Sequence, residues 1–98
     1  MDELNFVWDT NKANINFKKH KITFEEAKTV FFDVNAIEFF DPDHSQEEDR
    51  FLFLGMSRNL KAIIISYCYR EKEAVIRIIS ARKATKNETK IYFKGIKL

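Results

Sequence analysis

The sequence is poor in the residues that staple, break or loosen a chain: among 98 residues there are one cysteine, one proline and two glycines. With Cys68 alone, an intrachain disulfide and a cysteine-rich metal site are both excluded. Cys68 stands among Ile, Ser and Tyr in a strand-like run, where a thiol reads as buried rather than nucleophilic. Gly55 and Gly95 cannot make a glycine-rich phosphate loop. No pair of His or acidic residues has metal-ligand spacing, so no metal and no other cofactor is expected. Long apolar runs are missing too. The longest, Ala62 to Ile65, has a strand's length, far short of the roughly 18–20 residues of a membrane span. The first residues, Met1-Asp2-Glu3-Leu4-Asn5, are acidic and lack the basic and apolar stretches of a signal peptide. A cytoplasmic protein without membrane contact is the expectation.

What is present suits one globular domain over residues 1–98, with 45% hydrophobic and 33% charged residues. Ten Phe are expected to supply much of its core. The net charge of +2 hides a split. Residues 1–50 carry six Lys/Arg against twelve Asp/Glu, giving −6, and residues 51–98 carry eleven against three, giving +8. Such asymmetry points to an anionic partner, RNA above all, and leaves room for a second, basic one.

Patterning predicts an α+β chain. Leu4, Phe6 and Trp8 alternate as in a strand, and Asp9 or Thr10 can cap a helix carrying Ala13, Phe17 and His20 on one face. Thr23 and Glu26 are spaced as a capping box for a second helix, ending near 33–35, and Thr85 and Glu88 are spaced likewise for a closing helix. Between them, strands are expected over 36–40, 50–55, 61–69 and 75–81. An exposed loop, 41–49, holds five acids and the proline. The order is β-α-α-β-β-β-β-α, which implies an antiparallel sheet with helices packed on one face.

These residues resemble the BrnT family, the toxin half of a bacterial type II toxin–antitoxin pair. The resemblance runs through Phe6-Val7-Trp8-Asp9, Asn11-Lys12-Ala13, Asn16-Phe17-Lys18-Lys19-His20, Phe24-Glu25-Glu26-Ala27 and Val30-Phe31. It continues through Asp41-Pro42-Asp43-His44-Ser45, Arg50-Phe51, Gly55, Arg77-Ile78-Ile79-Ser80-Ala81-Arg82-Lys83-Ala84-Thr85, Glu88 and Tyr92. It implies a RelE-like fold and an enzyme that cuts RNA without a metal. It also implies a small BrnA-like antitoxin that binds DNA, so that the toxin meets DNA only through its partner. One departure stands out: Tyr67, within Ser66-Tyr67-Cys68-Tyr69-Arg70, occupies a place where relatives commonly have His.

RNA cleavage without metal needs a group to move protons and groups to neutralise the phosphorane. Arg77 and Arg82 are the candidates for charge stabilisation, since a guanidinium fork matches phosphate oxygens. Strict alternation puts Arg77 on one sheet face with Val75 and Ile79, and Ile76, Ile78 and Ser80 on the other. The competing reading makes Arg77 a surface ion pair with Glu71 or Glu73, worth about 0–1 kcal/mol. Arg82, Lys86, Lys90 and Lys94 recur every fourth residue, as in a basic helical stripe that could hold several phosphates or simply be solvated. His20 is the candidate proton carrier, with Lys19 assisting as a cation, because imidazole changes charge near neutral pH. Trp8 is a candidate base-stacking or core residue, and Tyr67 and Tyr92 are candidates to touch RNA or to pack. His44 reads as a structural or solvated member of the acidic loop. A toxin ribonuclease and a non-catalytic RNA- or protein-binding module both remain open.

Overall fold

The structure, a computed structural model, describes residues 4–72 and 74–96. Its elements run β1 (Asn5–Val7), α1 (Thr10–His20), α2 (Phe24–Val30), β2 (Ile37–Phe40), β3 (Arg50–Met56), β4 (Ala62–Arg70), β5 (Val75–Lys83) and α3 (Lys86–Lys94). A 3-10 turn, Pro42–His44, lies within the acidic loop. Local chemistry sets the helix ends. Asp9 caps α1 by accepting from the amides of Asn11 and Lys12, and Thr85 and Glu88 complete the expected capping box of α3. At α2 the box is half made. Thr23 accepts from the Glu26 amide, but the Glu26 carboxylate turns inward to accept from Ser57 Oγ at 2.7 Å.

The sheet order is β1-β5-β4-β3-β2. Strands β2 to β5 form an antiparallel meander, as the sequence implies, but β1 lies parallel to β5 and makes the sheet mixed. The reason is topological: α1 and α2 carry the chain from β1 at one edge to β2 at the other. Three reversals then return it beside β1 in the same direction.

The helices do not share one face. On the first face Ile22, Phe24, Ala27 and Val30 pack on Ile63, Ile65, Tyr67, Ile76, Ile78 and Ala81. On the second face α3 sets Tyr92 against Leu54 and Ile64, with Leu52, Met56, Ala84 and Ile96 around them. A helix at the end of a meander has no connection drawing it back over the strands, and the apolar row on the second face of β3 captures it there. The phenylalanines also differ from expectation. Only Phe24 among them is fully buried, Phe6, Phe31, Phe51 and Phe53 rim the core, and Phe17, Phe32, Phe39, Phe40 and Phe93 are exposed. Ile, Val and Ala fill the centre of the first-face core around its two buried rings, Phe24 and Tyr67.

Two close fits hold this arrangement. Gly55 lets β3 pass under α2, since a Cβ there would stand 2.7 Å from Val30 Cγ1 and 2.9 Å from the Ala36 Cβ. Asn16, buried on α1, donates to the carbonyls of Ala81 and Ile22 at 2.9 and 3.0 Å and accepts from the Ala81 amide at 3.0 Å. Its amide thus substitutes for a neighbouring strand where β1 has ended. Gly55→Ala is expected to cost about 1–3 kcal/mol by overpacking. Asn16→Ala should cost roughly 2–4 kcal/mol by orphaning buried backbone groups. Urea denaturation of both variants checks these values, and an unchanged midpoint for Asn16→Ala would contradict the edge-capping role.

Candidate active site

The site is organised by an irregularity in β5. Tyr67 pairs with Ile78 but the preceding Ser66 pairs with Ser80, so Ile79 is an extra residue, a β-bulge. A bulge resets the alternation of every residue after it. Arg77 lies opposite Cys68, Ser80 opposite Ser66 and Arg82 opposite Ile64. All three therefore point to the second face, the face opposite the main core. Simple alternation had put Ser80 on the other face from Arg77, and the bulge corrects it.

The α1 cations meet the bulge from the side. A cleft of about 210 Å³ is lined by Lys12, Ile15, Asn16, Lys19 and His20 of α1 and by Ile79 and Ser80 of β5. Lys19 is exposed and His20 half-buried. Their placement follows from Asn16, whose bonds to Ala81 dock the last turns of α1 against the β5 edge. Helix α1 closes at Lys21, which takes the left-handed conformation at φ 60° and donates its amide to Phe17 O.

The two arginines differ in their partners. Arg77 is half-buried and makes no ion pair with Glu71; Glu73 lies outside the described residues. Arg82 does not join a helical stripe, because it lies in β5 ahead of α3. Its two terminal nitrogens donate to Glu88 at 2.8 and 3.0 Å. Arg82 and the Thr85 amide both hold the Glu88 carboxyl down at about 2, the guanidinium hydrogen bond contributing most. Lys86, Lys90 and Lys94 are exposed on α3 as the remaining basic row.

The three aromatic candidates are not in the cleft. Trp8 lies on the other side of α1, edge-on to Phe24 at 5.9 Å between centroids. There it lines a separate groove of about 500 Å³ with Ala13, Asn14, Phe17 and Lys18. Tyr67 is wholly buried among Phe31, Phe51 and Phe53, and its hydroxyl donates to Glu38. Burial, then Glu38, drives its pKa up, and its ring lies in the core rather than on the surface. Tyr92 is buried under α3 and donates to Asp33 at 2.6 Å, with burial pushing its hydroxyl up to about 12. His44 pairs with Asp41 at 2.9 Å within the acidic loop. Among the described residues no group of three or more His, Cys, Asp or Glu is placed to hold a metal ion, and no helix is long and apolar enough to cross a membrane.

The sequence suggested no site role for Arg50, Arg70 or Glu48. Arg70 and Glu48 form an ion pair on the second face. Arg50 and Arg77 flank Cys68 in the register. The signal was present in the alternation of Arg50 with Phe51 and of Arg70 with Tyr69, which puts the arginines opposite the core.

Comparison with known proteins decides the family. Residues 8–88 match the family described as the ribonuclease toxin, BrnT, of type II toxin–antitoxin systems. The chain belongs to the BrnT family. Its fold is also similar to the crystal structure of the Brucella abortus ribonuclease toxin BrnT, with a TM-score of 0.65 and 21% identity. That similarity covers 86% of this chain and all of the Brucella one. No curated protein's sequence matches it. Membership in a family of type II ribonuclease toxins brings an RNA target and an antitoxin partner.

The BrnT chain's Arg82–Glu88 pair makes a prediction. Glu88 has a lowered carboxyl pKa in the fold, so its stabilising effect is complete above its unfolded value, roughly 4.3, and is lost as pH falls toward about 2. The Arg82 side chain is 40% exposed. Glu88→Gln should therefore cost only about 1 kcal/mol at pH 7. Thermal melts should show that gap closing between pH 5 and pH 2; a constant gap would contradict the assignment.

Proposed function

We propose that this chain is a metal-independent endoribonuclease toxin of one domain. In this reading it works in the cytoplasm, arrests translation and growth, and is neutralised by a BrnA-like antitoxin through which alone it meets DNA. The observation that carries the proposal is the cleft joining Lys19 and His20 to Ser80, with Arg77 and Arg82 on the face that Ser80 shares.

Cleavage by internal attack needs little beyond these groups. The 2′-oxygen loses its proton, bonds to phosphorus, and the bond from phosphorus to the 5′-oxygen breaks. The leaving oxygen takes up a proton, leaving a 2′,3′-cyclic phosphate and a 5′-hydroxyl. His20 exchanges protons with the reacting oxygens. Arg77, with Lys19, neutralises the phosphorane, where fixed charge is worth most. Arg82, oriented by Glu88, adds a further positive charge on the same face. Lys86, Lys90 and Lys94 hold the strand by its phosphates.

Purified, antitoxin-free protein should cut RNA in EDTA and leave DNA of the same sequence intact. Arg77→Ala should lower kcat/KM by about 100-fold or more with an unchanged melting temperature, and His20→Gln should flatten the pH profile. Cleavage abolished by EDTA and restored by a divalent metal would refute metal independence. Clean protein that cuts no RNA would leave a binding module as the better reading.

A further inference from the structure

Three guanidinium groups surround one small residue on the second face. Arg50 of β3 and Arg77 of β5 are the register partners of Cys68 on its two sides, and Arg70 lies two residues further along β4. Their faces are fixed by their neighbours, since Phe51, Tyr67, Tyr69, Ile76 and Ile78 belong to the core on the opposite side. Cys68 is fully buried and short, so longer side chains close over it. Like charges at adjacent positions of a sheet repel and call for an anion.

The free protein supplies that anion itself. Glu48 reaches in from the acidic loop and pairs with both terminal nitrogens of Arg70. It also faces the thiol: after burial, the Glu48 charge is the next influence raising the Cys68 pKa, with Arg70 and Arg77 acting the other way. Arg50 and Glu48 line a common cleft of about 230 Å³ with His44, Gln46 and Glu47. The base of the loop is pinned, because Ser45 Oγ donates to Asp41 O at 2.6 Å and accepts from the Arg50 amide at 2.9 Å.

We propose that Arg50 and Arg70, beside Arg77 at the scissile phosphate, form a subsite for the neighbouring RNA phosphodiester, and that Glu48 occupies it until RNA displaces it. The subsite deepens the ribonuclease reading and rests on it. A phosphodiester presents two free oxygens, the same fork that Glu48 offers to Arg70. The pair is accessible, with the Arg70 and Glu48 side chains 38% and 33% exposed, and pairs of this kind are weak enough to exchange. The carboxylate thus keeps Arg70 in place and rejects anions too weak to displace it.

The test is binding of a short 2′-O-methyl RNA, which cannot be cut, followed by fluorescence anisotropy at several salt concentrations. Glu48→Gln should tighten binding about five- to tenfold, whereas Glu47→Gln, the same charge change one residue away, should alter it less than about twofold. Arg70→Gln should weaken binding and reduce the salt slope by about 0.7, the contribution of one phosphate contact on a single strand. In the Arg70→Gln background, Glu48→Gln should bring no further tightening. Equal effects of Glu48→Gln and Glu47→Gln, or a full Glu48 effect without Arg70, would overturn the subsite and mean bulk repulsion only. If Arg70→Gln fails to fold, the comparison of the two glutamates still decides. Wild-type protein that cuts RNA while Glu48→Gln binds like Glu47→Gln refutes the subsite alone. Wild-type protein that neither cuts nor binds RNA refutes the ribonuclease reading and the subsite with it.

Discussion

One buried amide, that of Asn16, holds together the parts of the molecule proposed to act on RNA. Strand β1 pairs only with residues 75–77 of β5, so the β5 edge beyond Arg77 would otherwise expose backbone groups. Asn16 satisfies both polar groups of Ala81 and ties in the carbonyl of Ile22 as well. A helix thereby docks where a strand would have continued. Lys19 and His20, one turn on from Asn16, come to the bulge as a consequence. Backbone satisfaction is a strong demand in a buried setting, so one side chain is enough to fix the relation of α1 to the sheet.

The two faces of the sheet divide the work. The first face holds the main core of Ile, Val, Ala and Tyr67, with phenylalanines at its rim. The second face is only partly covered, by α3 at one end and by Glu48 from the acidic loop at the other. Between them lie Arg77, Ser80 and Arg82. Both flanking acids, Glu48 and Glu88, grip arginines. The strand-by-strand charge pattern therefore matters more than the split between the halves of the chain. Among the described residues the acidic half supplies two counter-ions to the basic half, Glu26 to Lys61 and Glu48 to Arg70, and Glu48 rests on the face proposed to bind RNA.

Much of the fold was legible because it rests on local chemistry. Capping residues Asp9, Thr23 and Thr85 marked the helix starts, and the alternation of Phe51 with Leu52 and of Tyr67 with Cys68 marked strands. The lack of glycine proved less restrictive than it reads: Lys21, Leu60, Glu71 and Lys72 take left-handed backbone positions where glycine is the usual choice. The faces of aromatic residues were harder to read, because Trp8, Tyr67 and Tyr92 have both apolar bodies and polar tips, and neighbours decide which is used.

By itself the sequence determined the element order, the turns, the absence of disulfide and glycine-loop chemistry, and the residues that bear charge. Those follow from interactions a few residues apart. Only the tertiary structure decided which charges share a surface. One extra residue, Ile79, turned Ser80 and Arg82 to the side of Arg77. Pairing across three strands gathered Arg50, Arg70 and Arg77 around Cys68. Neither is encoded in local spacing, because a bulge arises from the register between strands and a charge cluster from residues far apart in the chain.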